Sequence, residues 1–339
     1  GGGEEEEAAQ VEGTSSLIIR PSVLTEFDGL HLGSVYDVSW SPDSSLLTTC
    51  SNDMTVKVVR APLAPNQPFD IQTRADRDAG DLPVGTLRGH DGTVRAVCFT
   101  GDGTIVSGGA GDCLLRTWDP KRSSLGGALA TLKGHTGAIF SLCRGDVPAG
   151  GGGGSSGAGG FGPSTVVSGS EDRSVRVWDL RAGGKCVSSI GADPSLTHLE
   201  DGTPAAAKSA VQSLSVCPSA VATVATGHED GNCCIWDLRA GRLLWMLRAH
   251  ESQCRSVDYD CSGRWILSAS FDGTVGIADT DVWERRVVAN FDGHSGKVLR
   301  AVWNPKACMF ASSSADSTVK LWAPSVPRAA AGQRETQTH

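Results

Sequence analysis

Histidine, serine and aspartate recur in this chain at fixed separations. Together they are the side chains of a hydrolytic relay, in which a carboxylate orients an imidazole that takes the proton of a hydroxyl. His135, Ser168 and Asp172 form one such set, with Trp178 six residues past the aspartate, and His294, Ser312, Asp316 and Trp322 form a second. A catalyst needs one site, whereas this set returns in weakened form along the whole chain. His31, Thr49 and Asp53 are followed by Val59 instead of tryptophan, and His90, Asp112 and Trp118 have Gly108 where the hydroxyl is expected. Thr226, Asp230 and Trp236 lack the histidine, whose slot falls on Ala207 or Lys208, and His250, Ser268 and Asp272 are followed by Ala278. Only the aspartate is present in all six copies. A buried polar network repeated for structural reasons tolerates such losses. The quartets therefore read as structural, no residue is assigned as catalytic, and the chain is expected not to be an enzyme.

The other chemistry-bearing residues give weaker signals. The tract "GGGGSSGAGG" has no Lys-Ser/Thr ending and no strand-to-helix setting, so it reads as a flexible linker and not as a phosphate cradle. Glu229–Asp230 reads as a turn, and His198 and His228 as solvated loop or turn residues. The eleven cysteines are odd in number and contain no C-x-x-C pair. Cys98 and Cys143 lie in apolar runs, and the adjacent Cys233 and Cys234 would point to opposite faces of a strand and could not share a metal. Reduced, buried thiols are expected, with no metal site and no cofactor.

The spacing of these residues implies the elements that carry them. Histidine and aspartate are 22 residues apart in four copies; in the third they are 37 apart, the excess falling in "PAGGGGGSSGAGGFGP". Between them lie short runs such as "SVYDVSW", "SLLTTCS" and "TVKVVR", which alternate as half-buried strands do and are separated by turns such as "SPDS". Each unit thus predicts a small antiparallel sheet, too small to bury both faces alone. Radial stacking buries them, which predicts an all-β propeller of six complete blades plus a partial one. The partial unit is "SLIIRP" followed by "VLTEFDGLH", whose last stretch would pair with the final sheet near Trp322 and close the ring. The propeller is expected over 14–325 with inserted loops at 61–83, 148–163 and 191–207. It is flanked by a disordered acidic Gly/Glu segment at 1–13 and a disordered tail at 326–339.

Composition narrows the function classes. The chain has 339 residues, 43 glycines without a three-residue period, and a formal charge of −8. That charge disfavours nucleic acid and acidic membrane as partners. No run of eighteen apolar residues is present, and no secretory leader pattern follows Gly1. Starting at Gly1, the chain reads as a piece or processed form of something longer. A reducing, cytoplasmic setting is expected.

The strings "SVYDVSWSPDSSLLTTCSNDMTVKV", "GAGDC", "GHTGAIFSL", "ATGHEDGNC" and "SSSADSTVKLW" resemble WD-repeat β-propellers. Within that class they are similar to the nemitin-type microtubule-associated WD-repeat proteins. The resemblance implies seven blades and a protein-interaction scaffold on the microtubule cytoskeleton, and also in the central apparatus of the ciliary axoneme. Its partners would be microtubule-associated or axonemal proteins, including tubulin. In such propellers partners touch residues three and five after the repeat histidine and the residue before the turn aspartate. Carried over, those positions are Ser34, Tyr36, Asn52, Arg95, Phe140, Gln253, Arg255, Phe271, Lys297 and Leu299. An acidic tubulin surface would need a local basic patch, for which Lys121–Arg122, Arg285–Arg286 and Lys297 with Arg300 are candidates. An alternative comes from "WDLR", which occurs at 178–181 and 236–239 and resembles the box by which some propellers dock onto a cullin–RING ubiquitin ligase adaptor; Arg181 and Arg239 would carry that contact.

Overall fold

The computed structural model describes residues 29–60, 85–121, 127–145, 162–191, 209–220, 222–280 and 287–323. From His31 onward these form six antiparallel sheets, each a meander in chain order. The first comprises β1 (Val35–Trp40), β2 (Leu46–Ser51), β3 (Thr55–Arg60) and β4 (Gly85–Arg88), and the second β5 (Val94–Phe99), β6 (Ile105–Gly109), β7 (Leu115–Trp118) and β8 (Ala130–Leu132). The third holds β9 (Ile139–Arg144), β10 (Thr165–Ser170), β11 (Val175–Asp179) and β12 (Lys185–Ile190), and the fourth β13 (Val211–Val216), β14 (Thr223–His228), β15 (Asn232–Asp237) and β16 (Arg242–Arg248). The fifth holds β17 (Cys254–Tyr259), β18 (Trp265–Ser270), β19 (Thr274–Asp279) and β20 (Val287–Asp292), and the sixth β21 (Val298–Trp303), β22 (Phe310–Ser314) and β23 (Val319–Trp322).

Local chemistry explains the tight links. In the first hairpin Ser41 Oγ and the Ser45 N–H both donate to Asp43 Oδ1, at 2.6 and 3.1 Å, so the turn satisfies its own polar groups. The cores then lie between consecutive sheets. Val58 and Leu87 of the first meet Phe99 and Trp118 of the second; Ala96 and Leu115 of the second meet Ile139 and Leu142 of the third. Val167 and Val177 of the third pack with Val211 and Trp236 of the fourth, and Ile235 of the fourth with Val257 and Ile266 of the fifth. Leu267 and Val275 of the fifth meet Val298 and Phe310 of the sixth. Covering both faces of each small sheet with its neighbours is what a β-propeller does. Cys234 belongs to the core shared with the third sheet and Cys233 to the one shared with the fifth, so their side chains do take opposite faces.

The first strands of neighbouring sheets are not paired with one another and are tied by side chains instead. The N–H groups of Val97 and Phe99 donate to Asp37 Oδ2 and Ser39 Oγ of the preceding sheet, and Leu214 N–H donates to Ser141 Oγ. Val257 and Tyr259 donate to Ser213 and Ser215, and Trp303 to Asp258 Oδ2. Two faces stay open among the described residues: Val38 and Trp40 on β1 are about half exposed, and Val319 and Leu321 on β23 are 72% and 80% exposed. The partial unit, and with it the expected pairing near Trp322, lies outside the described residues except for its last three, Gly29, Leu30 and His31, as do both flanking segments and the expected loops except Gly162, Pro163 and Gly191.

Candidate functional site

Five of the six turn aspartates perform two tasks, and the turn-closing one is common to all six units. One oxygen closes the turn between the second and third strands. Oδ1 accepts the N–H two residues on, from Thr55, Leu114, Ser174, Asn232, Thr274 and Thr318, at 2.9–3.2 Å. The intervening residue takes a left-handed conformation in all six turns, as Met54, Cys113, Arg173, Gly231, Gly273 and Ser317, and the aspartate side chain supports it. The other oxygen reaches the imidazole: His31, His90, His135 and His294 Nδ1 lie 2.8–2.9 Å from their carboxylates, and His250 lies 3.3 Å from Asp272. A hydroxyl two residues past the aspartate also joins the network, as Thr55, Ser174, Thr274 and Thr318. Sequence spacing alone did not single it out.

The relay continues inward. His135 Nε2 lies 2.7 Å from Ser168 Oγ, which accepts the Trp178 indole N–H at 2.8 Å; His294, Ser312 and Trp322 repeat this at 2.7 and 2.8 Å. Burial opposes the charge on Asp172, yet hydrogen bonds from His135 and Ser174 outweigh it and hold the carboxyl below its usual range. Ser168 is fully buried and Ser312 is 1% exposed. Their hydroxyls bridge an imidazole and an indole, so neither quartet presents a nucleophile to solvent.

Two units depart from the sequence expectation. In the second, the hydroxyl is present after all: Ser107 Oγ lies 2.7 Å from His90 Nε2 and accepts the Trp118 indole at 2.8 Å. Ser107 pairs with Arg116 as Ser168 pairs with Arg176, so it is the equivalent residue, and Gly108 is not. The first hairpin of this sheet is one residue shorter (Phe99 pairs with Ile105, where Tyr259 pairs with Ile266 in the fifth), and the second hairpin is one longer. The two offsets cancel in the histidine-to-aspartate spacing.

In the fourth unit His228 is not a solvated turn residue but is fully buried at the end of β14. Its Nε2 lies 2.8 Å from Thr226 Oγ1, which accepts the Trp236 indole at 2.8 Å. Its Nδ1 donates to the Ser209 carbonyl at 3.2 Å, which fixes the neutral tautomer with Nε2 as acceptor. His228 stands opposite Val211, where Ser170 stands opposite Ile139 in the third sheet. The imidazole therefore comes from two residues past the hydroxyl on the same strand, not from the preceding loop. Asp230 keeps only the turn task. Ala207, Lys208 and His198 lie outside the described residues.

A second constellation sits where the innermost strands begin. In every sheet the first strand carries a β-bulge, at Tyr36, Arg95, Phe140, Gln212, Arg255 and Leu299. A bulge adds one unpaired residue and re-aims its side chain. Arg95 lies over the rings of Tyr36 and Phe140, at 5.2 and 4.7 Å from their centroids, so three consecutive sheets meet here. Arg255 donates to the Gln212 carbonyl at 3.4 Å. Burial, with the charges of Arg95 and Arg300 nearby, brings its guanidinium down to about 10, against the pull of Asp37. Arg300 Nη1 lies 3.6 Å from Asp37 Oδ1.

Of the sequence-predicted contact positions, Tyr36, Arg95, Phe140 and Arg255 come together at this mouth. Lys297 lies over Phe271 at 4.8 Å as a separate pair, and Gln253 donates to Glu229 at 2.9 Å. Ser34 is exposed and uses its carbonyl to accept Asn52 N–H, and Leu299 is 45% exposed. Gln212 escaped the sequence reading because the fourth unit has no histidine to count from; Asp37 had no such signal. Arg181 is 61% exposed and bonded to Asp179, and Arg239 is exposed. Arg122, Arg285 and Arg286 lie outside the described residues.

Comparison with known proteins agrees with this geometry. The pattern of the WD domain, G-beta repeat, matches residues 23–59, 82–119, 126–179, 241–279 and 285–323; it leaves out the fourth unit, whose histidine is displaced. The chain is 25% identical to a guanine nucleotide-binding protein subunit beta of Oryza sativa subsp. japonica, over 86% of this chain and 81% of that one. It is 28% identical to autophagy-related protein 16 of Arabidopsis thaliana, over 89% of this chain and 50% of that protein. It is 30% identical to mitochondrial division protein 1 of Saccharomyces cerevisiae, over 49% of this chain and 24% of the relative. Six sheets cornered by the same aspartate, five of them matched by the family pattern, place the chain in the WD-repeat family.

Proposed function

We propose that the chain is a non-enzymatic scaffold that receives other proteins at the mouth framed by its bulged residues, and that it does so on microtubules, in the cytoplasm or the axonemal central apparatus. The observation that carries the docking part is a bulge in the first strand of every sheet, three of which bring Arg95 together with its two aromatic neighbours Tyr36 and Phe140. Bulges gather at functional sites because they aim side chains, and Tyr, Phe and Arg are residue types that supply interface anchors. The microtubule part rests on the likeness of "SNDMTVKV" and "GAGDC" to nemitin-type propellers.

The test is proximity labelling in ciliated cells with the wild-type chain and with Tyr36→Ala/Phe140→Ala. Enrichment of microtubule or axonemal proteins that falls in the double variant supports the proposal; enrichment unchanged by it overturns the docking site. The ligase reading keeps one favourable observation, the exposure of Arg181 and Arg239. It replaces the microtubule reading if cullin-adaptor proteins dominate and vanish on Arg181→Ala/Arg239→Ala.

A further inference from the structure

From three arginines carried at or beside the bulges where the innermost strands begin, Arg95, Arg255 and Arg300, we infer that the mouth is a carboxylate-binding site, fitted to a glutamate-rich peptide segment of a partner protein. The inference rests on the docking reading above and names the chemistry of what docks. Arg95 comes from β5, Arg255 from β17 and Arg300 from β21, so sheets far apart in the chain each contribute one cation. Arg95 is held by the faces of Tyr36 and Phe140, a contact that leaves the N–H edge of a guanidinium free to bond. Among the described residues neither Arg95 nor Arg255 forms an ion pair, and Arg255 has a main-chain carbonyl as its hydrogen-bond partner.

The carboxylates facing this cluster are already committed. Asp37 accepts Val97 N–H and pairs with Arg300, while Asp258 accepts Trp303 N–H and the Ser215 hydroxyl. Both lie against the inner strands and serve the ties between sheets. Like charges held together in a partly buried place repel one another, and an incoming carboxylate relieves that repulsion while supplying acceptors for paired N–H donors. The surroundings select against long polyanions. Glu171, Glu229 and Asp230, with Arg173 as the one cation, line an open cleft between the third and fourth sheets, and the chain as a whole is acidic at −8. A nucleic acid or an anionic membrane would meet that repulsion over its length, whereas a flexible acidic peptide need place only a few side chains.

The experiment uses the full chain and three fluorescein-labelled ten-residue peptides: one rich in glutamate, its glutamine counterpart, and one carrying phosphoserine. Anisotropy is read at low and at physiological salt. The expected result is binding of the glutamate peptide that weakens with salt, no binding of the glutamine peptide, and a loss on the order of tenfold in Arg255→Gln and in Arg300→Gln. Arg300 is exposed, so its variant keeps the test valid should Arg255→Gln lower the thermal midpoint. Lys121→Gln, beyond the far end of β7, should bind as the wild type does. Binding that survives both arginine variants, equal binding of the glutamine peptide, binding of the phosphopeptide alone, or no binding at all overturns the inference. In each of those cases a proximity-labelling loss in the Tyr36/Phe140 variant would still leave the docking reading standing.

Discussion

His228 gives the sharpest test of the rearranged fourth unit. Burial lowers the pKa of its imidazole from the usual 6.5, against smaller opposing effects of the Ser209 carbonyl and of Asp230. The folded chain therefore resists a proton that the unfolded chain accepts. The contribution of a neutral, bonded imidazole is fully present above about pH 6.5 and declines as pH falls below it. One proton limits that decline to about 1.4 kcal/mol per pH unit, so the loss at pH 5.5 is at most about 1.4 kcal/mol. The comparison is wild type against His228→Gln, by urea unfolding at several pH values between 8 and 5.5. Titration of the remaining histidines is common to both chains and cancels in the difference. At pH 8 the variant should be less stable by about 2 kcal/mol, the scale of a buried network that loses its donor to the Ser209 carbonyl and its acceptor of Thr226. The gap should narrow as pH falls, because only the wild type loses stability through this group. Parallel curves would refute the reasoning, since they would mean that the ring is solvated or that Thr226 is satisfied without it.

Ser107→Ala should lower stability by about 2–3 kcal/mol in the same assay, because it strands the His90 ring nitrogen and the Trp118 indole N–H; Gly108→Ser should not rescue it, since a Cβ there would lie 2.6 Å from Ile139 Cγ2. Asp172→Asn should cost about 3 kcal/mol near neutral pH. With the folded pKa held down, that difference should persist above about pH 4 and shrink as acid titrates the folded carboxyl.

The sheets were legible because three signals agreed: the return of the aspartate, the strands that alternate around it, and turns of the Ser-Pro-Asp-Ser kind. The aspartate was the most informative because its turn-closing task is local. Oδ1 needs only the N–H two residues ahead, so the requirement survives in the fourth unit, where Asp230 holds no histidine. The hydroxyl and the imidazole answer to pairing register, which a count along the chain does not see. In the second unit two one-residue offsets cancel, so the 22-residue spacing looks intact while Ser107 replaces the position counted. In the fourth, an imidazole on β14 reaches the place that a loop histidine fills elsewhere, so a search for the missing residue upstream fails. Counting from the histidine, as the family resemblance directs, lands on Tyr36, Arg95, Phe140 and Arg255, but which charges lie near one another depends on how the sheets are arranged. Arg300 follows the bulge in β21 and joins the mouth only through its reach toward Asp37.

The bulge positions also show how this scaffold separates folding from recognition. The residue before each bulge is Val35, Val94, Ile139, Val211, Cys254 or Val298, all apolar, and every one except Val35 is fully buried. Val35 is the exception because it lies on the open face of the first sheet. The bulged residues are Tyr, Arg, Phe, Gln, Arg and Leu, with no shared chemistry. If the bulge existed only to bend the strand, one residue type would serve six times, as the aspartate does at the corners. A fixed neighbour anchored in the core beside a presented residue that changes from sheet to sheet is the arrangement expected when the backbone is common property and the side chains choose the partner. On that argument Tyr36→Ala and Arg95→Gln should alter binding with little change in the unfolding midpoint, whereas Val94→Ala, one residue away, should lower the midpoint through loss of core packing.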